Sequence, residues 1–214
     1  MTPAGVDTPV PETPAVGGHG AGHGPGRPRS AEADRAIVAA TVHLLAEEGY
    51  SRLSMEGVAA RAGVAKTTIY RRWPCKSDLV VHSLGCLTEK LETAPDTGRV
   101  RDDLVAFMRQ MVDKMRRSEA GRIMPGILVE LSRNPELAQA FRQGFVEPRR
   151  ASMVKALRRA IDRGEIRPDI DVDLVVDVTV GVFQHRLMVT GMAIDDDMPD
   201  RLADVMLEGI SLRR

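Results

Sequence analysis

The chain lacks most of what enzymes and secreted proteins are built on. Of its 214 residues only two are cysteines, Cys75 and Cys86, and neither falls in a zinc-ligand spacing. A disulfide framework is excluded, and a reducing compartment fits. Aromatic residues make up 3% of the chain, which argues against a pocket built from stacked rings. The five histidines, at 19, 23, 43, 82 and 185, have no neighbouring motif that would assemble an acid, a base and a nucleophile. An enzyme on a helical scaffold needs such a convergent set, so that alternative has little sequence support. No cofactor or metal is expected. His19 and His23 have no third ligand near them, and His82 and Cys86 share a helix face four residues apart without a second ligand pair, which leaves buried, unreactive thiols as the default. Net charge is absent as well, with 30 basic residues against 30 acidic. A generally adhesive nucleic-acid protein is thereby excluded. No apolar run approaches the roughly 20 residues needed to cross a bilayer, and the start of the chain lacks the basic and apolar parts of a signal peptide. A cytoplasmic protein without a membrane partner is expected.

The first 30 residues hold six prolines and seven glycines, with Val6, Val10 and Val16 as the only sizeable apolar side chains. No core can form there to offset chain entropy, so residues 1–30 read as a disordered tail. Its last stretch, Pro25-Gly26-Arg27-Pro28-Arg29, is either a plain linker or an extended arm whose arginines lie in a minor groove.

What the chain does have is concentrated between Ser54 and Lys76, SMEGVAARAGVAKTTIYRRWPCK. Ser54 is a good N-cap, Glu56 suits a first helical turn, and Met55, Val58, Ala59 and Ala62 repeat at helical spacing. Gly63 then stops the helix, since glycine takes positive φ without steric cost, and Val64 can pack back over the turn. A second helix, roughly Lys66 to Arg72, follows at a steep angle. This is a helix-turn-helix, whose second helix is of the kind that enters a major groove. Arg61, Lys66, Arg71, Arg72 and Lys76 fall in this segment with no acid between them. One basic island in a neutral chain points to a specific polyanion-binding surface rather than to a merely solvated helix face.

The segment resembles the TetR family of bacterial transcriptional regulators. Ile37, Val38, Leu44 and Leu45, then Gly49-Tyr50, Ser54, Val58-Ala59, Ala62-Gly63-Val64, Lys66, Ile69-Tyr70, Trp73, Lys76 and Leu79 fall in that family's register over about 50 residues. Ala65 and Cys75 depart from it, standing where the family carries small polar helix caps. Losing such a cap costs on the order of 1 kcal/mol. The resemblance implies an all-α fold, with a three-helix DNA-binding domain over 31–77 and a larger helical ligand-binding and dimerisation domain over 78–214. It implies double-stranded operator DNA as partner, with Tyr70 and Lys76 holding phosphates and Lys66, Thr67 and Thr68 lying near base edges or backbone. Ser54, Arg71 and Arg72 complete the expected DNA-binding set. Lysine and a phenol hydroxyl fix register on the backbone, whereas Lys66 or Arg71 could address guanine. Trp73 either stacks on DNA or plugs the space between helices, with the plug favoured; Tyr50 reads as core.

Beyond residue 80 the pattern is helical throughout. Leu104, Phe107, Met108, Met111, Val112 and Met115 form a stripe, with Asp102 and Asp103 at its front and Lys114, Arg116 and Arg117 at its back, as the helix dipole favours. A helix from Pro135 to about Arg163 should be kinked or divided at Pro148 and closed by Gly164. From Val172 to Met192 the valines alternate with strand period. No partner strand is visible, so a helix apolar on more than one side is expected. Leu202, Val205, Met206, Gly209 and Ile210 make a cleaner stripe. In TetR-like proteins the last two helices commonly form a four-helix dimer interface, which implies Val176, Phe183, Leu202, Val205, Met206 and Gly209 at a homodimer contact.

The same resemblance implies a small-molecule effector, of identity unknown from sequence. Seven of the eleven methionines fall between residues 101 and 192, and flexible thioethers suit an adaptable apolar cavity as well as an ordinary core. Met108, Met111 and Met115 are the expected wall, and Glu130, Gln184, His185 and Arg186 the polar groups that would orient a ligand. The function expected is that of a repressor released from its operator by that effector. A helix-turn-helix used only for protein contacts is the alternative, which the basic island opposes.

Overall fold

Ten α-helices and two π-helical turns, with no strand among the described residues, make up the computed structural model, which describes residues 28–88 and 94–210 and the side chains of these except 28–30 and 209–210. α1 runs Pro28–Glu48. It takes in Pro28 and Arg29, read above as the end of the disordered tail, because proline is tolerated in a first turn where its missing N–H has no intrahelical partner. Residues 1–27, with the expected disorder, the histidine pair and the rest of the arm, lie outside the described residues.

The helix-turn-helix forms as its local chemistry dictates. α2, Met55–Ala62, starts where Ser54 Oγ accepts the Gly57 N–H at 3.1 Å. It ends at Gly63, φ 66°, whose N–H reaches the Ala60 carbonyl while the Val64 N–H reaches that of Ala59. This crossed pair satisfies carbonyls that a helix end would otherwise leave open. α3 spans Lys66–Tyr70 and is pinned from below by the fully buried Ile69. Its Ala65 cap position supplies no side-chain bond, as a methyl group requires. α4, Lys76–Thr88, leads into the larger part of the chain.

There α5, Val100–Arg117, carries its acids in the first turn and its bases in the last. Arg99 gives it no side-chain cap; instead Glu165 Oε2 accepts the Val100 N–H at 2.6 Å from far along the chain. α6, Glu119–Leu131, and α7, Pro135–Phe141, are capped by Ser118 and Asn134. The long helix expected from Pro135 is divided into α7, a π turn at Arg142–Val146, and α8 at Glu147–Asp162, with Gly164 closing it at φ 73°. Pro148 sits in the first turn of α8, and the widened turn before it absorbs the ring's clash. α9, Val172–His185, is helical despite its alternating valines, and a second π turn, Arg186–Thr190, ends at Gly191. α10 spans Met198–Ile210.

Burial falls into two apolar clusters. The first joins α1–α4 to Ile123, Met124 and Ile127 of α6 and to Leu137 and Phe141 of α7. The second joins α5, α8, α9 and α10. The core of the N-terminal head therefore continues into the larger domain rather than stopping at residue 77. Buried hydroxyls do not disturb it, because Thr41, Ser83, Thr88 and Thr179 each donate to the carbonyl four residues earlier.

The two C-terminal helices correct the expected dimer set. Val176, Phe183 and Met206 are buried in their own subunit, and Leu202 is half-buried. Helical period sorts α9 so that Val175, Val176, Thr179 and Phe183 face inward while Leu174 and Val178 face out, a phase that alternating valines do not reveal. Val205 stays exposed, at 67%, and Gly209 lies outside the residues whose surroundings are described.

Candidate functional site

The head presents α3 outward. Lys66, Thr67, Tyr70 and Arg71 are exposed, Thr68 is half-buried, and the cap residue Ser54 is exposed beside them. Tyr70, at 45% exposure, offers its phenol to solvent, whereas Tyr50 is buried with its hydroxyl 2.9 Å from Ser77 Oγ. Trp73 is buried against the His82 ring, with centroids 5.2 Å apart, and fills the gap between helices as expected. Burial, the largest influence on it, pushes the Cys75 thiol up to about 11. His82 Nε2 lies 3.6 Å from Cys86 Sγ, but no cluster of three metal-binding side chains occurs among the described residues.

The basic island is less bare than its composition suggests. Arg61 grips Glu47 with two bonds of 2.5 and 2.8 Å, Lys66 reaches Glu56 at 3.0 Å, and Arg72 pairs with Asp34 of α1. Lys66 holds the Glu56 carboxyl below its usual range. Lys76 is turned inward, donating to the Tyr50 carbonyl at 3.0 Å with its ammonium 4.2 Å from the Tyr50 ring centre. The Arg71 N–H closes α3 on the Thr67 carbonyl at 3.2 Å, while its side chain makes no hydrogen bond or ion pair among the described residues. These differences decide availability. Water screens such exposed pairs, so a phosphate or base edge can displace Glu56 from Lys66 at little cost. Arg72, only 20% exposed, anchors α1 to the turn after α3, and Lys76 anchors the α1–α2 loop to α4. The structure thus leaves Lys66, Thr67, Tyr70 and Arg71 as the outward set, with Lys66 held only by its exposed pair with Glu56.

A cavity of about 430 Å³ opens in the larger domain. It lies on the seam between the two apolar clusters: Met124 and Phe141 come from the cluster that contains the head, Phe107, Val176 and Phe183 from the other. Of the expected wall, Met111, Met115 and Gln184 line it. Met108 does not; it is fully buried in the second cluster. Glu130 instead accepts Ser51 Oγ at 2.9 Å, tying α6 to the α1–α2 loop. His185 is exposed, and Arg186 donates to the Ala193 carbonyl at 2.5 Å. Neighbouring helical positions differ by about 100°, so Gln184, His185 and Arg186 cannot all face one cavity.

The aromatic expectation is overturned. All four phenylalanines of the chain, Phe107, Phe141, Phe145 and Phe183, line the cavity, and Phe141 stacks on Phe145 with centroids 4.8 Å apart. A whole-chain percentage carries no information on whether folding gathers the few rings in one place. The cations on the wall were also missed. Arg149, 91% buried, donates to the Phe145 carbonyl and to Thr88 Oγ1, each at 2.7 Å, and lies over the Phe145 ring. Arg150 holds Asp173 and Asp177 of α9, and these carboxylates keep its guanidinium firmly protonated.

A helix-turn-helix whose second helix turns a polar face outward, carried on a helical body that encloses an apolar cavity, defines a helix-turn-helix transcriptional regulator. Comparison with known proteins makes the class specific. The model for bacterial regulatory proteins of the tetR family matches residues 37–82, and that for the tetracyclin repressor-like C-terminal domain matches residues 94–206. A DNA-binding transcriptional repressor TetR of Mycobacteroides abscessus is 34% identical over 80% of this chain and 90% of its own. An uncharacterized HTH-type transcriptional regulator of Mycobacterium tuberculosis is 34% identical over 84% and 86%. The crystal structure of the TetR family transcription regulator SCO0332, 36% identical, superimposes with a TM-score of 0.70 over 85% of this chain and 100% of that one. The chain belongs to the TetR family and is a DNA-binding transcriptional regulator.

Proposed function

We propose that the protein is a homodimeric, cytoplasmic repressor that leaves its operator when a small molecule fills the cavity. Each subunit sets α3 into a major groove, with Lys66, Thr67, Thr68 and Arg71 facing base edges and Tyr70 holding a phosphate. Two such helices must lie roughly 34–36 Å apart to meet successive grooves. The observation that carries the reading is the cavity's position: one wall belongs to the packed cluster that includes α1–α4, the other to α5, α8 and α9. A molecule wedged there alters how the head sits on the body. Linkage then requires the ligand to prefer the arrangement that fits DNA poorly.

Dimerisation is proposed through α9 and α10, which leave Leu174, Val178 and Val205 exposed. No described helix is long and apolar enough to cross a membrane. The experiment is selection of genomic fragments by the pure protein, followed by binding measurements on Met111→Trp. The indole should fill the cavity and leave a dimer that still binds operator but no longer responds to effector. Loss of effector response without loss of operator binding supports the reading; unchanged response in Met111→Trp contradicts it.

A further inference from the structure

The charges around the cavity are already engaged within the protein. Arg150 lies between two carboxylates, with Nη2 2.9 Å from Asp173 and Nη1 2.5 Å from Asp177. Arg116, at the edge, pairs with Asp196. Arg149 is braced by the Phe145 carbonyl, Thr88 Oγ1 and the Phe145 ring. Among the lining residues the only neutral polar side chain is Gln184. The remaining wall is carbon and sulfur, with four phenyl rings and the thioethers of Met111, Met115 and Met124.

A charged ligand would lose its hydration here; an acid could recover it without breaking an ion pair only at Arg149, whose guanidinium already serves the Phe145 carbonyl, Thr88 Oγ1 and the Phe145 ring. A buried charge without a matched partner is strongly disfavoured. A neutral ligand meets no such cost, and ring faces and edges together with polarizable sulfur favour aromatic guests. The volume falls within the roughly 300–1,000 Å³ of ordinary small-molecule sites. Resting on the effector reading above, we infer that the cavity takes an electrically neutral, ring-bearing, largely apolar molecule whose single polar end meets the Gln184 amide.

The test uses three probes of one shape: biphenyl, para-phenylbenzamide and para-phenylbenzoate. Each is titrated into the full-length dimer by calorimetry, with operator binding measured in parallel. The amide should bind at least tenfold more tightly than the benzoate, which has the same number of non-hydrogen atoms and differs chiefly in charge. Gln184→Leu should remove most of the amide's advantage over biphenyl while leaving biphenyl binding unchanged. Benzoate binding as tight as amide, or tighter, overturns the inferred ligand class and leaves the effector site itself standing. Failure of all three to bind by roughly 1 mM, in protein that still binds operator and is blocked by no substitution at Met111, overturns the effector site and this inference with it.

Discussion

Gly144 is where a single methyl group should be felt in both halves of the molecule. It lies in the π turn between α7 and α8, and a Cβ built there falls 2.7 Å from Cγ1 of Val81, a buried residue of α4. Comfortable carbon–carbon contact needs roughly 3.5–4.0 Å, so Gly144→Ala forces a retreat of about 1 Å. Overpacking of this kind costs about 1–3 kcal/mol, against which alanine returns about 0.5–1 kcal/mol of helical backbone entropy. A net loss of about 1–2 kcal/mol is expected. Val81→Ala alone should cost about 2 kcal/mol through lost burial. In the double variant the new methyl enters the space the valine vacates, so the two losses should fall short of additive by about 1–2 kcal/mol. Urea denaturation of the four proteins at one fixed concentration measures this cycle. Operator affinity should fall in Gly144→Ala, because α4 begins at Lys76 beside the head, and should recover in the double variant. Additivity within about 0.5 kcal/mol would show that the π turn does not press on α4 and that this contact does not couple the larger domain to the head.

Other outcomes follow from the same geometry. Lys76→Ala should destabilise the head by about 2 kcal/mol in urea, since it removes a charge-assisted hydrogen bond and a cation–π contact to Tyr50; a wild-type midpoint would contradict the anchoring role. Arg71→Ala should leave stability unchanged, weaken operator binding by about 1–3 kcal/mol and relax the base preference, read from the sequences selected by the variant and their affinities. Val205→Glu should yield folded monomers in sedimentation and weaken operator binding together, because the side chain is exposed in the isolated subunit. Cys86 is exposed and should alkylate near pH 8, whereas Cys75 should resist until the protein unfolds, its thiol being held up to about 11. Because that folded value lies above the thiol's ordinary 9.0, any stability it contributes is present below about pH 9 and is lost as pH rises toward 11; mass spectrometry of labelled peptides and denaturation at two alkaline pH values check both statements.

Local rules made the head legible from sequence. Ser54, Gly63 and the Met55–Val58–Ala59 face each act within one or two turns, and the structure places them as those rules require. Pro148 likewise announced the break between α7 and α8, though not the π form of the turn, whose Gly144 lies close against Val81 of α4. The partners of the basic residues were not legible. Asp34, Glu47 and the Tyr50 carbonyl lie far from Arg72, Arg61 and Lys76 in sequence and meet them only once α1 packs across the head. The cavity was half legible. Met111 and Met115 sit on a stripe whose phase the pattern fixes, but Phe145 and Arg149 reach the wall through a π turn that rotates the helix by a step no regular period anticipates. α9 shows the reverse case, where alternating valines conceal which side faces the core until the helix is laid against α8.

Mutual exclusion of cavity ligand and operator is the central claim, and a reciprocal titration measures it. Operator affinity is determined with and without saturating para-phenylbenzamide, and affinity for the amide with and without saturating operator. Each should weaken the other by one common factor, on the order of 5–150-fold. An operator affinity that stays the same while the cavity is demonstrably full would contradict it.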